Sequence, residues 1–193
     1  SLPSRGLGDV YKRQGDTSSA AFLIAIGVLQ SKELNIKNVL LNERRIGFLK
    51  ILKKMNADIT IKDIEVKDNE NVGTIVVKKS KLKGVTVEGK DVADMVDEFP
   101  VFTLLASQAE GNTVVEGAKE LRHKESDRIM AMENFIINLG GQIDTNSSGF
   151  KISGIQKFHG GVIKTEEDHR IAMTGVVAAC LLYTSDAADD LGR

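Results

Sequence analysis

Four things are scarce in this sequence, and each absence removes a class of explanation. Cys180 is the only cysteine in 193 residues, so no internal disulfide can form, and the usage argues for a reducing compartment. Charge of either sign is not in excess, with 26 basic against 27 acidic side chains and a formal net charge of -1. A nucleic-acid partner ordinarily needs a basic patch or stripe, and none is expected here. The longest uncharged apolar-rich run, TSSAAFLIAIGVLQS, has its apolar centre at Ala20–Leu29. A bilayer span needs roughly 20 mostly apolar residues, so this run predicts a buried helix and no membrane partner. The N-terminal region has no basic, apolar and small-residue succession of a secretory signal.

What remains is a globular composition, 41% hydrophobic and 27% charged, in a chain long enough for one domain with a real core. The two ends read differently from the interior. SLPSRGLGDVYKRQ has no usable periodicity, and LLYTSDAADDLGR departs abruptly from the apolar run before it. Both resemble translated sequencing-adaptor read-through. Residues 1–14 and 182–193 are therefore expected to be non-native tails around a domain spanning 15–181.

The interior repeats itself. GDTSSAAFLIAIGVLQ, VDEFPVFTLLASQAEG and EEDHRIAMTGVVAACLL each set an acidic or hydroxyl residue before an apolar helical run. Ser18 to Asp97 is 79 residues and Asp97 to Asp168 is 71. Ser and Asp suit N-caps because their side-chain oxygens accept from unpaired first-turn amides. After each of the first two buried helices come a β-like stretch, an amphipathic helix and two strands. The stretches are LNIKNVLL and NTVVEGA, and the strands are DITIKDI with GTIVVKK, then GQIDT with GFKIS. Asn56 and Gly140 stand where left-handed helix ends are expected. The prediction is an α/β fold of repeated βαβαββ units, the third cut off within its first helix.

Two motifs are decoys. GVTVEGKD nearly spells a phosphate loop, but Asp91 takes the required hydroxyl position and Val85/Val87 alternate as a strand, so a hairpin turn at Glu88–Lys90 is expected. TEEDHR gathers acids and a histidine, yet consecutive helical residues cannot all face one ion, and no second His/Cys group has ligand spacing. Arg170 is not dismissed so easily. A cation in the first turn of a helix opposes the dipole and calls for a compensating anion or an outward position.

LRHKESDRI, Leu121–Ile129, crowds both signs at the mouth of an amphipathic helix. On a helix Lys124 and Arg128 would be a like-charge i,i+4 pair, offset by Glu125 with Arg128 and Lys124 with Asp127 at i,i+3. Its spacing leaves two readings open. One is a solvated salt-bridge lattice. The other is an anion site in which first-turn amides and two cations receive carboxylate or phosphate and Glu125 moves a proton. The repeat favours the second. If the copies pack about a common axis, the starts of the buried helices converge, bringing Asp97 and Arg170 to the same pocket.

GDTSSAAFLIA, DEFPVFTLLASQAEG, LRHKESDRI and DHRIAM together resemble the 5-enolpyruvylshikimate-3-phosphate (EPSP) synthase family, over about Gly15 to Ala179. The resemblance implies a two-lobed enolpyruvyl transferase, each lobe holding three βαβαββ units about a pseudo-threefold axis. This chain corresponds to most of the C-terminal lobe with its third unit truncated. It implies transfer of the enolpyruvyl group of phosphoenolpyruvate to the 5-hydroxyl of shikimate 3-phosphate, with phosphate released and no metal or organic cofactor. It further implies that Asp97 accepts the hydroxyl proton and that Glu125 handles the proton at the phosphoenolpyruvate methylene carbon. Lys124 would contact shikimate 3-phosphate, while Arg128 and Arg170 would bind phosphoenolpyruvate. A cytoplasmic, monomeric parent is implied. So is a partner for this chain in the N-terminal lobe of the same enzyme, whose Lys, Ser and Arg ligands are absent along with a late C-terminal lysine. A piece lacking them is expected to be inactive alone.

Two positions depart from the family pattern. Glu43 replaces the proline of the usual NPTR stretch, and Glu120 stands where some members have Asn. Two other readings stay open: an enolpyruvyl transferase acting on UDP-N-acetylglucosamine, and a non-catalytic ligand-binding domain of the same repeats.

Overall fold

The computed structural model describes residues 14–190, with side chains to Tyr183. The tail expected at residues 1–14 lies outside the described residues except for Gln14.

The first unit begins where Gly15 bridges Val39 in parallel and leads into helix α1, Thr17–Gln30. This helix is apolar on most sides because it is buried on most sides: Ala21, Ile24, Ala25 and Val28 are wholly enclosed. Strand β1, Leu34–Leu40, helix α2, Gly47–Lys54, and strands β2, Asp58–Lys67, and β3, Glu70–Lys78, complete the unit. The sheet order is β1-β3-β2, antiparallel throughout. Its centre is β3, whose six consecutive buried residues Val72–Val77 fit a strand covered on both faces.

The second unit repeats this plan. Strand β4, Thr86–Val87, a one-turn helix α3, Lys90–Ala93, and buried helix α4, Phe99–Ser107, precede strand β5, Gly111–Val115. A 3-10 turn at Lys119–His123 leads to helix α5, Arg128–Asn138, and strands β6, Asp144–Asn146, and β7, Gly149–Gly154. Here β4 runs parallel to β5, and β5, β7 and β6 follow antiparallel, the same succession as Gly15, β1, β3 and β2. Helix α6, His169–Asp190, opens the next copy. Helices α1, α4 and α6 pack against one another, but α6, expected to be buried like the other two, is half open, with Met173 and Val176 exposed. Asn56 (φ 70°) and Gly140 (φ 83°) adopt the expected left-handed conformation after α2 and α5.

Four local expectations are corrected. The N-cap of α1 is Asp16, whose carboxylate accepts from the Ser19 amide at 2.8 Å, while Ser18 is buried in the first turn. Asp97 does not begin α4, which starts at Phe99 with Glu98 in the cap position and Pro100 in the first turn. No hairpin forms at Glu88–Lys90; Gly89 (φ 55°) turns the chain into α3, and Lys54 pairs with Asp91 at 2.6 Å.

The fourth concerns the crowded stretch. Lys124 is extended (φ -95°, ψ -154°) and α5 begins only at Arg128, so the helical pairing of Lys124 with Arg128 does not exist. Asp127 decides this boundary. Its carboxylate caps the Met130 amide at 3.1 Å and pairs with Arg122 rather than Lys124, at 2.7 Å. Arg122 in turn donates to the carbonyls of Asn146 and Ser147, tying the loop to the β6–β7 turn. Asp127→Ala removes the cap and the pair together, and should lower stability by about 1–2 kcal/mol in urea unfolding. A variant as stable as the parent would rule Asp127 out as the helix start signal.

The structure does not mark Leu182 as a break: the α6 backbone stays helical to Asp190.

Candidate active site

The starts of α4, α5 and α6 meet, and at their meeting point lies Arg128, wholly buried and among the largest enclosed side chains of the molecule. A guanidinium can be placed there only if its donors are met. Nε donates to Asp168 Oδ2 at 2.8 Å, Nη2 to Glu125 Oε2 at 2.5 Å, and Nη1 to Asp97 Oδ1 at 3.3 Å and the Val96 carbonyl at 3.4 Å. Four of the five N–H groups of an arginine are thereby used.

Arg170 closes the other side. Its Nη2 lies 3.1 Å from Asp97 Oδ2, so Asp97 bridges the two arginines. This is the anion that a cation near the start of α6 required. Asp168 serves two purposes: one oxygen holds Arg128, and the other accepts the Arg170 backbone amide at 2.9 Å as a helix cap. Burial pushes the Asp168 carboxyl up, but the hydrogen bonds from Arg128 and the Arg170 amide, with the charges of Arg128 and His169, outweigh it and hold it below the usual range. Burial likewise opposes the charge on Arg128, and Asp168, Glu125 and Asp97 reverse that, keeping it firmly charged.

The carboxylates differ in access. Asp168 is fully enclosed, whereas the Asp97 and Glu125 side chains are 42% and 51% exposed. Arg170 Nε is buried and reaches no acceptor, and an orphaned buried donor calls for a partner that is not yet in place.

Asp97, Glu125, Arg128 and Arg170, expected to share a site, are thus brought together. Lys124 stands apart from the arginine cluster. It lines a cavity of about 160 Å3 with Ser18, Arg44, Arg45, Asp94, Asp97 and Glu98. Asp97 belongs to both, so the cavity and the arginine cluster are contiguous. Asp168 was legible as a helix start but not as the partner of Arg128, and Ser18, Arg45 and Glu98 were not foreseen at the site. The signal for Glu98 was its place at the edge of a run apolar on every side, where a charge has no solvent face to occupy.

A model of the EPSP synthase (3-phosphoshikimate 1-carboxyvinyltransferase) family matches residues 3–189. The chain belongs to the EPSP synthase family. It is 46% identical over 170 residues to the 3-phosphoshikimate 1-carboxyvinyltransferase of Endomicrobium trichonymphae, which covers 86% of this chain and 40% of that protein. It is 47% identical over 160 residues to the enzyme of the same name from Persephonella marina, covering 82% and 37%. The EPSP synthase structure from Acinetobacter baumannii superposes with a TM-score of 0.81 at 37% identity, over 84% of this chain and 39% of that one. The enolpyruvyl transferase NikO from Streptomyces tendae, 16% identical with a TM-score of 0.60, shares the fold. This EPSP synthase family chain spans about two fifths of the length of the curated relatives it matches. Among the described residues no helix is long and apolar enough to cross a membrane.

Proposed function

We propose that this chain is part of the C-terminal lobe of an enzyme that joins phosphoenolpyruvate to the 5-hydroxyl of shikimate 3-phosphate and releases phosphate. The observation that carries the reading is one carboxylate, Asp97, bridging two arginines while a second, Glu125, sits on the same buried Arg128. Family membership supplies the chemistry, and the site supplies groups suited to it.

The roles follow from access. Protein oxygens hold four of the five Arg128 N–H groups, so a substrate anion gains a two-point hold on it only by displacing some of them. Asp168 is enclosed and stays; the half-exposed Asp97 and Glu125 are the ones that leave. The carboxylate and phosphate of phosphoenolpyruvate replace them on Arg128 and Arg170, including the orphaned Nε of Arg170. Displacement frees both carboxylates for proton transfer at the moment the substrate arrives. Asp97 takes the proton of the attacking 5-hydroxyl as the hydroxyl oxygen bonds to C2 of phosphoenolpyruvate, and Glu125, protonated by water once it is off Arg128, delivers that proton to C3. In the second half Glu125 takes a proton back from C3 as the C2–O bond to phosphate breaks, and the proton held by Asp97 passes to the departing phosphate. Lys124 meets shikimate 3-phosphate from the adjoining cavity. Gathering two multiply charged anions requires these cations in a site closed off from water. That closure is assigned to the N-terminal lobe of the same enzyme, without which residues 15–181 are inactive. Residues 1–14 and 182–193 are assigned to non-native tails, and the parent to the cytoplasm as a monomer; the single cysteine of this chain agrees with a reducing compartment.

The test is phosphate release by the full-length protein. Release is expected with both substrates and with neither alone. No release with shikimate 3-phosphate, or release with UDP-N-acetylglucosamine in its place, would sink the assignment.

A further inference from the structure

Glu98 is the one buried acid at the site to which the reaction above gives no task. It is 4% exposed and occupies the cap position of α4, yet makes no cap hydrogen bond. It lines the same cavity as Ser18 of α1, and both residues are all but enclosed. Ser18, 1% exposed, accepts from Arg45 Nη2 at 3.0 Å, so its own hydroxyl proton can turn across the shared cavity to the Glu98 carboxyl, whose ionised form it favours. Arg45 is itself held by Asp16 at 3.0 Å, the cap of α1. Hydrogen bonds therefore run from Asp16 through Arg45 to Ser18, and the cavity that Ser18 and Glu98 share joins the start of α1 and the β1–α2 loop to the start of α4.

The charges facing Glu98 do not make it a stabilising ion pair. Asp97 adjoins it on its own turn, Arg170 faces it from α6 and Arg45 from the β1–α2 loop, with Arg44, Asp94 and Lys124 around the shared cavity. Burial pushes its carboxyl up, the Ser18 hydrogen bond opposes this, the charge of Asp97 adds to it, and Arg170 and Arg45 oppose it; the net direction is upward. A carboxyl buried at such cost against one hydroxyl is poorly explained by stability. Its neighbours suggest what it does. Val96 holds Arg128 through its carbonyl, and Asp97 holds Arg128 and Arg170 through its two oxygens. Glu98 anchors the far end of the same turn.

We propose that Glu98 is a positioning residue for Asp97: fixed through Ser18 and Arg45 to the start of α1, it holds the Val96–Glu98 turn so that Asp97 spans Arg128 and Arg170. The role is one of shape and hydrogen bonding. Gln at this position keeps an oxygen to accept from Ser18 and fills the same space, whereas Ala does neither.

Two measurements test it. In the 193-residue chain, labelled at arginine nitrogen, the Nε–H resonances of Arg128 and Arg170 report their carboxylate partners. Glu98→Ala and Ser18→Ala are expected to shift both, and Glu98→Gln to leave them near their parent positions. Unmoved resonances in the Ser18→Ala chain, or equal shifts in Glu98→Gln and Glu98→Ala, overturn the proposal. Ser18→Ala opens little space and carries the test if Glu98→Ala does not fold. The second measurement rests on the reaction proposed above. In the full-length protein Glu98→Ala should lower kcat on the order of tenfold to a hundredfold, as displaced catalytic groups do, and Glu98→Gln should recover most of it. On an Asp97→Asn background Glu98→Ala should cost nothing further; losses that multiply would mean that Glu98 does not act through Asp97. A parent protein inert toward both substrates would refute the reaction while leaving the resonance test standing.

Discussion

Arg128→Met is expected to lower the stability of this chain by roughly 3–5 kcal/mol at neutral pH, the range for breaking a buried ion pair from one side. Methionine fills much of the space, so lost packing is not the main cause. The cause is Asp168, fully enclosed and stripped of the Nε donor at 2.8 Å. The pH dependence separates this from a packing defect. In the parent the Asp168 carboxyl is held low, so its contribution is present above its unfolded pKa and disappears as pH falls through the folded value. In the variant burial acts with that bond and charge gone and raises the carboxyl instead. Its ionised form then penalises folding near neutrality, and the penalty shrinks as pH falls toward the unfolded value of about 4. Urea unfolding at neutral pH and in mild acid should therefore show parent and variant converging in acid. Arg128→Met combined with Asp168→Asn, which keeps the cap on the Arg170 amide, should recover most of the loss at neutral pH. A gap independent of pH, or no recovery in the double variant, would show that the pair is not what the fold depends on.

The ion pair also shows where reading the sequence stops. The buried helices α1 and α4 were legible because a run apolar on every side has nowhere to go but the interior. The strands were legible as short β-like stretches between turns, β3 as a continuous apolar run rather than an alternating one, and the ends of α2 and α5 by Asn56 and Gly140. Repetition of the unit then carried the argument across the chain: helix starts that are equivalent in sequence converge in space, and Asp97, Glu125, Arg128 and Arg170 do meet. Spacing could not say which way each side chain points. Arg128, which spacing left open to a solvated or an anion-binding reading, is wholly enclosed together with Asp168, because the starts of α4 and α6 meet over it. The start of α5 was misplaced because a run of charges is equally compatible with helix and loop until one of them, Asp127, is seen to cap. Glu98 and Ser18 lie in different repeats, and no local pattern announces a contact between them.

The largest expected effect on turnover belongs to Glu125→Gln in the full-length protein, a loss of about 10²–10⁴-fold in kcat, the range for removing a general acid–base group. Geometry makes the substitution clean. Glutamine keeps an oxygen to accept from Arg128 Nη2, so the arginine stays where Asp168 and Asp97 hold it. The Glu125 side chain is 51% exposed, and an ion pair so open to water contributes little to stability. The variant should therefore unfold within about 1 kcal/mol of the parent, in contrast to Arg128→Met. On the proposed reaction, what it loses is the ability to deliver a proton to C3 of phosphoenolpyruvate and take one back. In deuterated water the parent, supplied with both substrates, should wash deuterium into the methylene of recovered phosphoenolpyruvate, and the variant should not. If the variant exchanges at the parent rate, the proton at C3 moves through another group, and Glu125 is left as a screen on Arg128. If exchange stops while binding of phosphoenolpyruvate is kept, the carboxylate parked on the buried arginine is the proton carrier.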